Sequence, residues 1–137
     1  MILSRLQTIL GIALTLAAAV ALADDIKITL SGAQENPPVA TSASGSGVIT
    51  INADGTVSGS ITTAGVPSTA AHIHVGATGT NGPVIVPLTR AGENGWAVAP
   101  GAKLNEAQMV SYKAGNLYVN VHSKANPGGE IRGQIKP

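Results

Sequence analysis

The sequence contains no cysteine. That excludes a thiol nucleophile, a thiolate metal ligand and any disulfide, so the folded chain must hold together by its core. Phenylalanine is also absent, and aromatic side chains are limited to one tryptophan and two tyrosines. The core must therefore come mainly from Val, Ile, Leu and Ala. Charged residues make up 11% of the chain, with no run of lysine or arginine, which makes nucleic acid and anionic membrane poor partners. No G-x-S-x-G elbow and no H-E-x-x-H helix occurs, and nothing specifies a Ser-His-Asp triad. Of the acidic residues, Asp54 and Glu93 sit in turns, so a glycosidase-like carboxylate pair has little to draw on. A hydrolase is the weakest reading of the chain.

The first residues read as a targeting signal. Arg5 supplies a positive start, residues 6–20 are almost wholly apolar, and Ala21-Leu22-Ala23 is a small-x-small cleavage site. The expectation is a cleaved signal peptide at 1–23 and one mature domain at 24–137, placed in the periplasm or secreted. The apolar run is short for a membrane span, so no membrane association is expected after cleavage. Removing Arg5 from eight basic residues leaves seven against seven acidic ones, a mature chain near neutrality.

The mature part alternates with period two. Residues 25–30 read as a strand with Ile26, Ile28 and Leu30 on one face. The Gln34-Glu35-Asn36-Pro37-Pro38 run breaks it, because proline lacks the ladder donor, and the Ser/Gly-rich stretch 41–47 reads as loop. Strands at 48–52 and 57–63 flank a turn at Asp54-Gly55, the dipeptide that accepts positive φ. Strands are also expected at 71–75, 84–88, 96–99, 117–123 and 130–135, with a turn at Asn94-Gly95 and an edge or bulge at Pro87. Trp96 reads as core or as a lid. Asn105 with Gln108 three residues on forms a capping-box pattern, and Gly115 is a stop, so a short helix is expected at 106–114. The pattern predicts an all-β fold: an antiparallel Greek-key β-sandwich or barrel with one short crossover helix.

All three histidines lie in two of these strands. In Ala71-His72-Ile73-His74-Val75, His72 and His74 share one face. In Leu117-Tyr118-Val119-Asn120-Val121-His122, Tyr118, Asn120 and His122 share the face opposite Leu117, Val119 and Val121. If the strands are neighbours, three imidazoles converge, which is the ligand set of an open metal site. Tyr118 and Asn120 would then surround it, and Glu35 is a candidate carboxylate partner. Otherwise the three are ordinary outward-facing histidines.

With these residues laid out, the chain resembles a CHRD domain, the domain named after chordin. The resemblance covers nearly all of the mature chain. It is carried by Leu30-Ser31-Gly32-Ala33-Gln34-Glu35-Asn36-Pro37-Pro38, by Ala71-His72-Ile73-His74-Val75-Gly76 with Asn81-Gly82-Pro83-Val84, and by Leu117-Tyr118-Val119-Asn120-Val121-His122 with Asn126-Pro127-Gly128-Gly129-Glu130-Ile131-Arg132-Gly133-Gln134. It implies a β-sandwich in an exported protein. In chordin such domains stand beside cysteine-rich modules that bind growth factors; no such module is present here, so that partner does not carry over.

A fainter resemblance is to copper/zinc superoxide dismutase, also a β-sandwich. His72-Ile73-His74 followed by Gly76, Val121-His122-Ser123-Lys124, and Arg132 ahead of Gly133-Gln134-Ile135 are similar to stretches of that family. The bridging histidine, zinc ligands and disulfide cysteines are missing, so the resemblance implies a copper-only site. It also implies that Arg132 attracts a small anion such as superoxide; the other reading of Arg132 is a surface partner of Glu130 or Gln134. Imidazole suits copper and zinc alike, but copper adds one-electron chemistry, so copper is favoured over zinc. Two function classes follow: an exported copper-binding domain, dismutase-like if it is an enzyme, and a non-catalytic extracytoplasmic binding or matrix module with structural histidines.

Overall fold

The computed structural model describes residues 23–137. The signal peptide read at 1–23 therefore lies, but for Ala23, outside the described residues. No described helix is long and apolar enough to cross a membrane.

Eight strands form one closed antiparallel barrel: β1 (Asp24–Ser31), β2 (Ser44–Ile51), β3 (Val57–Ala64), β4 (Ser68–Val75), β5 (Val84–Arg90), β6 (Gly95–Val98), β7 (Leu117–Ser123) and β8 (Ile131–Ile135). Around the barrel they run β1-β2-β3-β6-β5-β4-β7-β8, and β8 returns to β1 at Ser31 and Arg132. Strands β4, β5 and β6 are joined by hairpins while β3 lies beside β6, which is the Greek-key arrangement. The return from β6 to β7 carries the one helix, α1 (Glu106–Lys113). Its capping box is formed: the Asn105 side chain accepts from the Gln108 N–H at 2.8 Å and the Gln108 side chain accepts from the Asn105 N–H at 2.9 Å.

The barrel interior is aliphatic, as the missing phenylalanine requires. Ile28, Ile49, Ile61, Ile73, Leu117, Val119, Val121, Ile131 and Ile135 are all buried there. Trp96 belongs to this core and donates from Nε1 to the Ser68 hydroxyl at 3.0 Å.

Three expectations are corrected. Stretch 41–47 is not all loop: β2 begins at Ser44, and Gly45 and Gly47 face inward in step with Ile49 and Ile51. Glycine stands there for space, since a Cβ on Gly45 would meet the Ile131 side chain at 3.2 Å and one on Gly47 the Ser60 carbonyl. The β5–β6 turn glycine is Gly92 at φ +82, while Gly95 already opens β6. Pro87 itself pairs in register with His72; the irregularity lies two residues earlier in β5, where Ile73 faces Val86 and His74 faces Val84, leaving Ile85 as the extra residue.

Candidate metal centre

Strands β4, β7 and β8 are neighbours, and their register decides what meets on the outer wall. His72 stands opposite Asn120, and Asn120 opposite Arg132; His74 stands opposite Tyr118, and Tyr118 opposite Gln134; His122 stands opposite Ala70, diagonal to His72. The outer residues of three strands thus form one patch. This patch is outward-facing but not exposed. Tyr118, Asn120 and Arg132 are buried almost completely, and His74 is 7% exposed, while His72 and His122 are half-buried. Three connections cover it: 32–43, 76–83 and 124–130.

The three histidines converge as the two-residue period implied. One ligating atom from each lies within 4.8 Å of the others. His74 Nδ1 lies 2.9 Å from the Gly82 carbonyl and His122 Nδ1 2.8 Å from the Pro127 carbonyl. A carbonyl can only accept, so each Nδ1 carries the proton and each Nε2 keeps its lone pair. His72 Nδ1 lies 3.0 Å from His122 Nε2, so in the metal-free protein a proton between these two nitrogens sits where a cation would replace it. His74 Nε2 is buried with no hydrogen-bond partner. Asn120 Oδ1, close by, is buried and unpartnered as well; such atoms are rare in a folded protein, and a cation would give the imidazole nitrogen a partner.

The electrostatics agree. Burial holds the His72 imidazole below the usual histidine range, with His122 and His74 adding to the effect. Burial also lowers His74, reinforced by His122 and Arg132 and opposed by its bond to Gly82 and by the Asn120 side chain. Both are neutral at pH 7, the form that binds metal. Nitrogens sharing an ion at about 2.0–2.1 Å are separated by about 2.9–3.6 Å for angles of 90–120°, so the widest pair must close by roughly an ångström. The residues fit a copper or zinc ion; three imidazoles do not choose between them.

Glu35 reaches the patch from the far end of the chain. Its Oε1 accepts from Asn120 Nδ2 at 3.4 Å. Burial pushes its carboxyl up to about 7, against the opposing pull of Asn120 and Arg132. Glu35 also lines a surface groove with Pro37, Asn81, Asn126 and Pro127, so the groove runs past the carbonyl that orients His122. Gly129 closes tightly over this corner: a Cβ there would run into the Asn120 carboxamide and the Glu35 carboxylate.

Arg132 lies in the patch with its guanidinium committed to protein oxygens. Nη1 donates to the Thr80 carbonyl at 2.6 Å, and Nη2 to the Ala77 carbonyl and Gln134 Oε1 at 3.0 Å each. It does bond Gln134, but as a buried residue and not as the surface partner read from sequence. The carbonyls of Gly82 and Pro127, which select the histidine tautomers, had no signal in the sequence beyond a Gly-Pro and a Pro-Gly pair in loops. Glu130, read from sequence as a possible partner of Arg132, bonds elsewhere. Its buried carboxylate accepts from Ser123 Oγ at 2.7 Å, Thr41 Oγ1 at 2.9 Å and Asn126 Nδ2 at 3.2 Å, and the Ser123 bond leads in holding it below the usual carboxylate range. It shapes the 124–130 turn from which Pro127 reaches His122.

A family model described as the CHRD domain matches residues 26–135. Searches of curated proteins and of solved structures return no match. The likeness to superoxide dismutase therefore rests on the residues quoted above alone.

Proposed function

The chain belongs to the CHRD domain family, and from that premise we propose that it is an exported metal-binding CHRD domain holding one copper ion. His72 Nδ1, His74 Nε2 and His122 Nε2 are the ligands. The observation that carries this reading is the convergence of three histidine nitrogens within 4.8 Å, one of them buried and unpartnered. Periplasmic or secreted placement is part of the proposal and is supported by the signal-like segment at 1–23.

Bound copper supplies one-electron redox chemistry that zinc lacks. The protein's own part is to hold three imidazoles together with His72 and His122 open toward solvent. Arg132 leaves a positive charge beside them. With its N–H groups engaged, that charge acts on an incoming anion through its field. Superoxide, a small anion, is the substrate this combination supports, which makes the enzyme reading a copper-only, dismutase-like oxidoreductase. The test is metal analysis of protein purified from the periplasm without an affinity tag, followed by superoxide removal measured against an equal amount of free copper under a chelator. Copper bound without activity above that control discards the enzyme reading; no bound metal discards the centre.

A second reading is favoured by one observation. His74 and His122 each tie a loop carbonyl to the barrel wall, and His72 bonds His122. Those bonds suffice for a non-catalytic extracytoplasmic binding or matrix module in which the histidines are structural. Metal-free protein that melts no lower than copper-treated protein selects this reading.

A further inference from the structure

Arg132 is 1% exposed and, among the described residues, makes no ion pair within hydrogen-bond distance; the acceptors it reaches are neutral. A cation buried that deeply must gain something local, because its solvation is lost. Two independent chains of contact lead from it to His74. The first runs through the backbone: the guanidinium holds the Ala77 and Thr80 carbonyls, Gln134 beside it holds the Gly76 carbonyl at 2.8 Å, and the same connection ends at Gly82, whose carbonyl accepts from His74 Nδ1. The second runs through rings: the guanidinium carbon lies 3.5 Å from the Tyr118 ring centroid, and the Tyr118 ring stacks on the His74 imidazole at 4.7 Å with 3° between planes. The two meet again at Gly82, whose N–H donates to the Tyr118 hydroxyl at 3.1 Å. One residue, Gly82, thus receives His74 on its carbonyl and Tyr118 on its N–H, and Arg132 braces the connection that carries it.

We propose that Arg132 is a positioning residue for the histidine centre: its forked donors pin connection 76–83 and the Tyr118 ring, and through them fix the orientation and tautomer of His74. What that orientation serves rests on the metal-centre reading above. A residue that attracts anions needs charge alone; a brace needs the planar fork, which a lysine ammonium cannot reproduce. The two roles therefore separate in a charge-conserving substitution.

The experiment compares wild type with Arg132→Lys and, as a control for lost stability, Asn105→Ala, which weakens only the cap of α1. In metal-free protein, long-range nitrogen–proton spectra of the imidazoles read the tautomer directly. Wild type and Asn105→Ala are expected to show His74 as a single form with the proton on Nδ1, and Arg132→Lys a mixture. Loss of groups that orient a metal ligand lowers metal affinity by about 10–100-fold, so copper affinity is expected to fall by roughly that factor in Arg132→Lys and to hold in Asn105→Ala. If Arg132→Lys does not fold, Tyr118→Phe, which keeps the stack and removes the hydroxyl that holds Gly82, is expected to mix the tautomers instead. A wild-type His74 averaged between tautomers overturns the proposal. So does a folded Arg132→Lys variant with wild-type tautomer and copper affinity, a result that leaves the metal centre standing. A tautomer that Arg132→Lys disturbs in a protein that binds no copper supports the brace while removing the metal reading.

Discussion

At the scale of single residues, burial leads in setting the titration of Glu35, His72 and His74. Glu35 gives a prediction with a definite sign. Its carboxyl ionises near 4.5 in an unfolded chain and at about 7 in the folded one. Between those values the unfolded chain has released a proton that the folded chain retains. Glu35 therefore makes stability fall as pH rises from 4.5 to 7, by at most about 3.4 kcal/mol at 1.36 per unit, and adds little slope outside that window. Glu130 acts oppositely: its folded value is lowered, so its contribution is present above the unfolded value and is lost as pH falls through the folded one. Glu35→Gln keeps a neutral side chain at every pH and leaves Glu130 untouched. Denaturant melts of metal-free protein at pH 5 and pH 8 should show the variant gaining on wild type at the higher pH. An equal difference at both pH values removes Glu35 as the titrating group. The sequence carried Glu35 only as a carboxylate in a proline loop; its burial comes from the meeting of that loop with Asn120 and Gly129.

At the scale of elements, the strands and the helix follow from local rules, but the barrel closes only where side chains permit it. Gly133 of β8 marks the seam with β1. A Cβ there would lie 2.6 Å from Ile28 Cγ2 and 2.7 Å from the Thr29 carbonyl. Gly133→Ala should therefore destabilise the domain by about 1–3 kcal/mol, the usual range for overpacking, read as a lower denaturation midpoint with an unchanged slope. A midpoint equal to wild type would mean that β1 and β8 are not packed this closely. Asn105→Ala should cost about 1 kcal/mol through the lost cap. Because α1 donates no hydrogen bond to the histidines, copper affinity should hold in the same variant; a concurrent loss of affinity would tie the helix to the centre.

At the scale of the whole molecule, a ligand that binds only the folded state stabilises it. At free copper a hundred times its dissociation constant the gain is about 2.7 kcal/mol, which for a domain of this size is on the order of 10 °C in Tm. Calorimetry with and without copper should show that shift in wild type. His72→Ala, His74→Ala and His122→Ala should each lose most of it, since each removes one of three ligands. The same shift in a triple alanine variant would place the copper elsewhere. If copper-loaded protein removes superoxide, Arg132→Lys should retain the decline of rate with ionic strength, because screening acts on the charge that lysine preserves; loss of that decline in the lysine variant would mean that the field at the centre has another source.

The sequence by itself determined the elements, the aliphatic core and the face each histidine occupies. These follow from period-two alternation, turn dipeptides and the capping box, all of which act between residues close in the chain. It also carried the CHRD resemblance that the family match bears out. Tertiary structure alone decided three matters: that β4 and β7 pair with His122 diagonal to His72, that the outer wall lies beneath three loops, and that Arg132 spends its donors on loop carbonyls. Alternation tells which way a side chain points and not whether a loop lies over it. Arg132, outward on its strand and fully buried, is where that distinction mattered most.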